Sequence, residues 1–337
     1  MLEDLNSYLK NTKKLDLKKL EKVVNSFVLD PSGQPKKYEI KIRSNPVFFS
    51  RARIAPERET RNIETISLGF KTPPPIDCIF CNPKTKGAKF SEETGLEEQY
   101  YLNESAAFSN LFSFAKIHGV VIYNYKQHVK DPRGLTVSNW IDGINIVQKI
   151  GKVSKKKYVS LNANFGPKAA ASLEHFHGQF HCEDEPLSKT DLALKTGTKK
   201  YWKSLVKTLL EEDLVIDFDK ESKTVLFIEW SPAFGKTELV VMNLENPCFQ
   251  KMDEKEINAV ASFLDRSVRI TMERVSDQFN IVNLSASVKD DFCNQFRIFP
   301  RAPLSHGVKS WEGYLEFSGE TVPHILPEKL ARIIKTS

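Results

Sequence analysis

The segment from Ser172 to His181 constrains this chain most, because nitrogen-bearing side chains recur in it at every second position. On an extended strand, this spacing places His175, His177 and Gln179 on one face. The chain has only 7 histidines in 337 residues, so chance rarely produces such a register. The alternation predicts a strand that carries a chemical site. The simpler alternatives are an exposed strand that carries polar residues, or a surface site that binds stray metal.

The residue types in this segment suit phosphate chemistry. An imidazole attacks phosphorus well when one ring nitrogen is free and the other donates to a carbonyl oxygen. His177 is the predicted nucleophile, with a nearby main-chain carbonyl as that acceptor. Gln179 can donate its amide to phosphate oxygens but cannot shuttle a proton. Ser172 and Asn164 are predicted to contact the same phosphate group, and a covalent phosphoryl-histidine that waits for a second phosphate acceptor is the expected intermediate.

A basic segment upstream supplies further candidates for phosphate binding. Arg58 and Arg61 lie close together there, and guanidinium forks suit a diphosphate. A solvated basic loop is the alternative for both arginines. The net charge of +6 is mild and fits a small anionic substrate as well as a polymer. We therefore predict a phosphate-bearing small molecule as substrate and no nucleic-acid partner.

A Cys-x-x-Cys pair predicts a metal site. Cys78 and Cys81 have the spacing that lets one turn hold a single zinc ion, but they supply only half of a tetrahedral site. His128 and His175 are the best candidates for the missing ligands, and such a site would anchor the histidine strand. A redox pair or two free thiols is the alternative. Five cysteines with one close pair favour a reducing cytoplasm over a disulfide framework.

Length and patterning predict two related domains. A chain of 337 residues exceeds the usual single core. No run approaches the roughly 20 apolar residues of a membrane helix, and the first residues do not resemble a secretion signal, so we expect a cytoplasmic protein. Two blocks share the order strand–strand–helix–strand–strand. The predicted divisions are a helical extension over 1–45 that includes an amphipathic helix over 15–27, a catalytic domain over 46–185, a helical connection over 186–222, and a second repeat with a tail over 223–337.

The two blocks differ where the first carries the histidine strand. The first block has predicted strands at 106–114, 119–125 and 158–164 and a helix at 137–150. The second has predicted strands at 224–231, 238–243, 280–286 and 294–300 and a helix at 254–275. In the second block, the segment 293–299 takes the place of the histidine strand and has no histidine. We therefore predict an α+β fold with antiparallel sheets and packed helices, duplicated, whose second copy is degenerate and serves as scaffold.

The run from Asn164 to Gln179 resembles the galactose-1-phosphate uridylyltransferase branch of the histidine-triad superfamily. That branch reads Asn-x-Gly, several small residues, Ser, two residues, then His-Pro-His-x-Gln. The similarity is specific and ungapped over these 16 residues. Weaker similarity covers most of residues 46 to 320, including an arginine-bearing approach at 54–61, and it leaves the N-terminal extension unexplained.

The resemblance implies a ping-pong nucleotidyltransferase acting on a nucleoside diphosphate sugar. Its expected acceptor is a sugar 1-phosphate, its cofactor a structural Zn²⁺, and its assembly a homodimer active in carbohydrate metabolism. By position, His177 would be nucleotidylated, Ser172 and Gln179 would bind phosphate, and Asn103 and Glu104 would face the nucleoside. Cys78, Cys81, His128 and His175 would hold zinc, and Glu316 aligns loosely with sugar-contacting residues.

Several departures from the family pattern leave the substrate open. Phe176 stands where the family has proline, and Glu104 where it has aspartate. The His-x-His needed for a second metal near residues 295–297 is absent, so we expect no iron there. The alternatives are a phosphorylase of an ADP- or GDP-sugar or a dinucleoside polyphosphate, a hydrolase, for which His181 would supply a third histidine, and a zinc-stabilised nucleotide-binding module without activity.

Overall fold

The computed structural model describes residues 1–29, 35–54, 77–111, 113, 115–234, 237–301, 320–321 and 325–336. The helices are α1 (Leu2–Tyr8), α2 (Leu17–Leu20), α3 (Pro83–Lys86), α4 (Val137–Ser154), α5 (Ser188–Thr196), α6 (Lys199–Glu211), α7 (Glu254–Arg274) and α8 (Pro327–Lys335). The strands are β1 (Glu21–Leu29), β2 (Pro35–Asn45), β3 (Ser50–Ile54), β4 (Gln99–Leu102), β5 (Ser105–Ser109), β6 (Ile117–Ile122), β7 (Tyr158–Phe165), β8 (His177–Glu183), β9 (Val215–Asp219), β10 (Thr224–Ile228), β11 (Leu239–Asn243), β12 (Phe279–Leu284), β13 (Gln295–Pro300) and β14 (Glu320–Thr321).

A ten-stranded antiparallel sheet organises most of these elements. Its order is β4-β5-β6-β8-β7-β12-β13-β11-β10-β9. The centre is the pairing of β7 with β12, where Asn164 lies opposite Asn280. Outward from this pair, both halves place their strands in the same sequence of connections, with α4 and α7 at equivalent points of the chain. The fold is thus α+β with antiparallel sheets, as predicted, and strands from both predicted blocks join one sheet.

Two long helices cover one face of this sheet. Helices α4 and α7 pack against each other and against strands of their own halves. Each begins with a reciprocal cap: the side chain of Thr136 accepts from the amide of Asn139, and that of Asp253 accepts from the amide of Glu256. Such caps satisfy amide groups that the first turn leaves unpaired. The apolar stripe of α7 is buried, as its 3.6-residue period predicts.

The pleat separates an apolar face from a polar one. On β8, Gly178 and Phe180 face the covering helices. Gly119 of β6 lies opposite Phe180, and a Cβ there would lie 2.1 Å from the Phe180 ring, so only glycine at position 119 leaves room for this ring. His177 and Gln179 alternate with Gly178 and Phe180 and therefore point to the opposite face. The histidine strand thus presents its polar side chains away from the main core, as the period-two pattern predicts.

The predicted N-terminal helix is largely wrong. Only residues Leu17–Leu20 are helical, and the chain then continues as β1, which pairs with β2 in a separate sheet of order β1-β2-β3-β14. Val23 is 50% exposed, so the apolar spacing does not mark a buried helix face. Neighbouring Val23 and Val24 are β-branched and favour extended backbone once a partner strand supplies hydrogen bonds.

Strand β9 and helix α8 are among the elements that were not predicted. Strand β9 follows the predicted helical connection and forms the outer edge of the second half, and α8 packs against β9 and β10. Leu330 and Ile334 of α8 are buried. Among the residues that the structure describes, no helix combines the length and the apolar character needed to cross a bilayer.

Candidate active site and metal centre

Four predicted metal ligands lie together beside the histidine strand. The ligand atoms of Cys78, Cys81, His128 and His175 all lie within 4.8 Å of one another. The Cys81 Sγ is 3.2 Å from His128 Nδ1 and 3.5 Å from His175 Nδ1, and the Cys78 Sγ is 3.6 Å from His175 Nδ1. Sulfur and nitrogen ligands of a tetrahedral zinc ion are separated by about 3.5 Å, given the usual bond lengths. The donor set and its spacing therefore fit a divalent metal ion.

The local sequence explains how three segments meet at this cluster. The loop that carries Cys78 and Cys81 packs Phe80 onto Phe108 and Val120, which form a small apolar cluster on the polar side of the sheet. His128 follows β6 after a turn that Asn124 stabilises, since the Asn124 Oδ1 accepts from two following amides at 3.1 Å each. Local turn chemistry thus delivers His128 to the cysteines.

Asn124 also orients the second histidine ligand. Its main-chain carbonyl lies 3.1 Å from His175 Nε2, so this ring nitrogen donates and leaves the Nδ1 lone pair directed at the two thiols. The Asn124 side chain in turn donates to Glu104 at 2.8 Å. Backing bonds of this kind fix the tautomer and orientation of metal-ligating histidines. Asn124 was not singled out from the sequence, although an asparagine directly after a strand is a recognisable turn residue.

Burial within the cluster favours the neutral forms of Cys81 and His175. Burial and the neighbouring Cys78 thiol raise the pKa of Cys81 to about 12. Burial, with the His128 ring as a second cause, lowers the pKa of His175 to about 3. Neutral imidazole is the form that binds metal, and a bound cation would supply the positive charge that two thiolates need.

His177 has the geometry predicted for a nucleophilic imidazole. Its Nδ1 lies 2.9 Å from the main-chain carbonyl of His175, which fixes Nδ1 as the protonated nitrogen and leaves the Nε2 lone pair available. The ring is only 4% exposed, and the Phe80 ring lies against it with centroids 4.5 Å apart. Burial lowers the pKa of His177, which keeps the imidazole neutral.

One detail of the predicted strand is wrong. Strand β8 begins at His177, and His175 lies in the bend before it rather than on the strand. The reason is Phe176, whose amide donates to the carbonyl of Val129 at 2.7 Å and whose side chain is buried against Tyr123 and other rings of the core. This anchor turns His175 to the cysteines and places its carbonyl at His177 Nδ1.

The predicted phosphate-binding residues occupy three places. Gln179 follows His177 on the same face of β8, half-buried, with its Oε1 3.2 Å from His118 Nε2. Asn164 lies near the end of β7 and accepts from Asn280 Nδ2 at 2.7 Å. Ser172 is exposed in the bend before β8. His118, which the sequence analysis left unassigned, is the residue in direct contact with the predicted phosphate-binding amide.

The two residues expected to face a nucleoside form the turn between β4 and β5. Asn103 has a positive φ of 50° and donates to both carboxylate oxygens of Asp142 on α4 at 3.1 Å. Glu104 accepts from Asn124 and, at 3.5 Å, from Asn139. Glu104 thus connects Asn124, which orients His175, to α4, whereas Asn103 bonds to α4 alone. The three remaining candidates, Arg58, Arg61 and Glu316, lie outside the described residues.

The overall fold matches solved structures of three other proteins. An ADP-glucose phosphorylase from Arabidopsis thaliana, solved with bound ADP-glucose, has a TM-score of 0.65 to this chain at 15% identity, over 88% of this chain and 99% of that one. A GALT-like protein from Arabidopsis thaliana has a TM-score of 0.62 at 16% identity, over 88% and 98%. A uridylyltransferase has a TM-score of 0.60 at 14% identity, over 88% and 97%.

These likenesses establish the fold. The chain has the architecture shared by the phosphorylase and the uridylyltransferase along almost their whole length, which confirms the fold that the sequence resemblance implies. No protein-family model matches the chain. No curated protein matches it either.

Proposed function

We propose that this protein is a nucleotidyltransferase that acts on a nucleoside diphosphate sugar through a covalent nucleotidyl-histidine at His177. One observation carries the proposal: the Nδ1 of His177 is bonded to the His175 carbonyl at 2.9 Å, next to a cluster of four metal-ligand side chains. A histidine held in this tautomer presents a nucleophilic Nε2, and the fold is that of enzymes named for reactions on nucleotide sugars.

The first half-reaction forms a phosphorus–nitrogen bond. The Nε2 of His177 attacks the α-phosphorus, the bond from that phosphorus to the bridging oxygen breaks, and sugar 1-phosphate leaves with the electron pair. The proton on Nδ1 stays with the ring, and the His175 carbonyl stabilises the positive charge that the ring acquires. In the second half-reaction, an oxygen of a phosphate-bearing acceptor attacks the same phosphorus, and His177 leaves as neutral imidazole.

The residues around His177 have separate roles in this proposal. Gln179 donates its amide to an α-phosphate oxygen and stabilises the negative charge of the transition state. Ser172 and Asn164 contact the phosphates, and Asn103 and Glu104 border the nucleoside. We retain Arg58, Arg61 and Glu316 as proposed contacts to the diphosphate and the sugar.

We propose zinc for the Cys2His2 cluster. Two sulfur and two nitrogen donors at tetrahedral spacing suit Zn²⁺, whose closed four-ligand sites are structural. Bound zinc would cross-link the 78–81 loop, His128 and His175. Through His175, it would hold the carbonyl that orients His177.

We also propose that the two halves of the sheet descend from one duplicated unit, with 46–185 as the catalytic copy and 223–337 as the degenerate copy. The shared strand order supports this proposal. Strand β13 begins with Gln295 and carries Arg297 two residues later, whereas β8 begins with His177 and carries Gln179 two residues later. A homodimer in the cytoplasm remains our expectation for the assembly and location.

A phosphorylase is the second candidate. The ADP-glucose phosphorylase structure has a TM-score of 0.65 over 99% of its own chain, and the uridylyltransferase structure has 0.60 over 97%. The structural likeness therefore supports a phosphorylase at least as well as a transferase. The transferase and phosphorylase reactions share the first half-reaction and differ in the acceptor of the second. Inorganic phosphate would then replace sugar 1-phosphate in the second half-reaction.

Intact mass spectrometry tests the proposal directly. The protein is mixed with UDP-glucose, ADP-glucose or GDP-glucose, and we expect one of them to add the mass of its nucleoside monophosphate. The His177→Gly variant should show no adduct, while His181→Phe, a control on the same strand that keeps a ring beside His118, should show it unchanged. Release by galactose 1-phosphate or by inorganic phosphate would separate transferase from phosphorylase. A full adduct in the His177→Gly variant, or none in the unaltered protein, would refute the proposal.

A further inference from the structure

A histidine that the proposed reaction does not use lies behind the phosphate-binding amide. His118 lies on β6, directly opposite His181 of β8, and is 2% exposed. Its Nε2 is 3.2 Å from the Oε1 of Gln179. Because the ring is buried and packs edge-on against the His181 ring, with centroids 5.7 Å apart, it cannot swing away from Gln179.

We propose that His118 is a positioning residue for the reaction at His177. It donates its Nε2 proton to the Gln179 carboxamide oxygen and thereby turns the amide NH₂ of Gln179 to the α-phosphate. The inference rests on the proposed function and deepens it, since it names the group that orients the phosphate donor.

The two ends of a carboxamide have opposite chemistry at a phosphate. The NH₂ end donates to a phosphate oxygen, whereas the carbonyl end repels it. Gln179 can rotate its amide by 180° at little steric cost, so a partner must choose the orientation. A donor at Nε2 of His118 selects the oxygen of Gln179 for itself and leaves the NH₂ end for the substrate. Preorganised donors of this kind account for much of catalysis at charged transition states.

Asn110 makes the same histidine nitrogen part of a small network. Its side-chain Nδ2 lies 3.2 Å from His118 Nε2, and its main-chain amide donates to the His118 carbonyl at 2.9 Å. Because Nδ2 can only donate, a proton on Nε2 requires the Asn110 carboxamide to be turned by 180° so that its oxygen faces the ring, which exchanges two atoms of nearly equal size. Nε2 then donates to two carboxamide oxygens. Burial lowers the pKa of His118, which agrees with a neutral ring carrying one proton.

The test is the rate of adduct formation at His177 in matched variants. His118→Phe keeps a ring but removes the donor, and we expect the rate to fall about tenfold with nucleotide affinity within about twofold. His118→Gln restores an amide donor and should recover most of the rate. His181→Phe changes the neighbouring residue but keeps a ring packed against His118, and should leave the rate unchanged.

Combining substitutions separates positioning from general support of the fold. In a Gln179→Ala background, His118→Phe should add no further loss, because the amide that it orients is gone. Additive losses would overturn the positioning role, and so would an unchanged rate in His118→Phe. An unaltered protein that forms no adduct would overturn the proposed function together with this inference.

A spectroscopic measurement does not depend on the variants folding. Nitrogen-15 spectra of the histidine rings in the unaltered protein should show the proton of His118 on Nε2 and none on Nδ1. The reverse tautomer would contradict the inference even if adduct formation at His177 proceeds normally.

Discussion

The two halves of the large sheet share a framework and use its polar face in opposite ways. In the first half, β8 presents His177 and Gln179 beside a cluster of potential metal ligands. In the second half, β13 presents Arg297, which is fully buried and bonded to Glu238 at 2.6 Å and to Glu229 at 3.1 Å. The first half thus presents its histidine beside potential metal ligands, and the second pairs its buried arginine with two carboxylates of the same chain.

Three aromatic rings also surround the buried guanidinium of Arg297. The Arg297 guanidinium lies 4.9 Å from the ring centroid of Phe48, 5.8 Å from that of Trp202 and 5.4 Å from that of Phe234. The same strand order therefore occurs with and without a candidate ligand-binding site. Whether buried polar groups find partners within the chain decides whether a half can serve as scaffold or can bind a ligand.

The largest expected effect is the loss of metal binding at the cluster in the first half. Cys78→Ala should remove one of the four ligands, abolish stoichiometric zinc binding and lower the melting temperature by several degrees, because metal binding to such sites contributes folding free energy. Cys182→Ala, a buried thiol outside the cluster, is the matched control and should retain the zinc. The measurements are elemental analysis and thermal unfolding. Equal zinc content in the two variants would show that the cluster is not the metal site.

The next largest effect tests whether the second half depends on its buried ion pairs. Arg297→Leu leaves two carboxylates buried without their cation and should lower the free energy of unfolding by about 3–5 kcal/mol. Lys255→Ala breaks an exposed ion pair with Glu221 and should change the free energy of unfolding by less than about 1 kcal/mol. Urea denaturation measures both. A loss below 1 kcal/mol for Arg297→Leu would contradict the view that internal pairing maintains this half.

A smaller effect, on the pH dependence of stability, is expected from Glu229, one of the two carboxylates paired with Arg297. Burial raises the pKa of Glu229 above its ordinary 4.5, although Arg297 opposes the shift. The folded protein therefore binds this proton more tightly than the unfolded chain, and the group's contribution to stability falls as pH rises from 4.5 through the raised pKa.

The Glu229→Gln variant should remove that dependence. Its stability relative to the unaltered protein should be most favourable at high pH and should decline as pH falls towards 4.5. Glu238→Gln should instead destabilise at neutral pH, because the Glu238 carboxylate also accepts from the amides of Ala233 and Phe234. Urea denaturation measures Glu229→Gln across a pH series and Glu238→Gln at neutral pH. A stability difference between Glu229→Gln and the unaltered protein that does not vary with pH would contradict the prediction.

The smallest expected effect tests the framework that the halves share. Thr136→Ala and Asp253→Ala each remove the cap of the covering helix in one half and should each cost about 1 kcal/mol of unfolding free energy. Chemical denaturation of the two variants should give similar losses. A loss confined to one variant would mean that the halves do not depend equally on their helices.

The sequence alone determined the elements whose evidence is local. Helices α4 and α7 and the inner strands of both halves, all but β4 and β9, follow from patterns over a few residues, so their bounds were predicted to within a few positions. The metal cluster followed from ligand chemistry, since a cysteine pair has too few donors and the histidines at 128 and 175 were the best complement.

Tertiary structure decided what depends on distant partners. Residues 21–29 became a strand because β2 supplies the hydrogen bonds that a local helical pattern cannot anticipate. Asn124 and His118 acquired their roles because folding placed a carbonyl at one ring and a carboxamide at another, 51 and 61 residues apart in the chain. Local patterns fix backbone preference, whereas the partner of a buried polar group is fixed only when the chain closes around it.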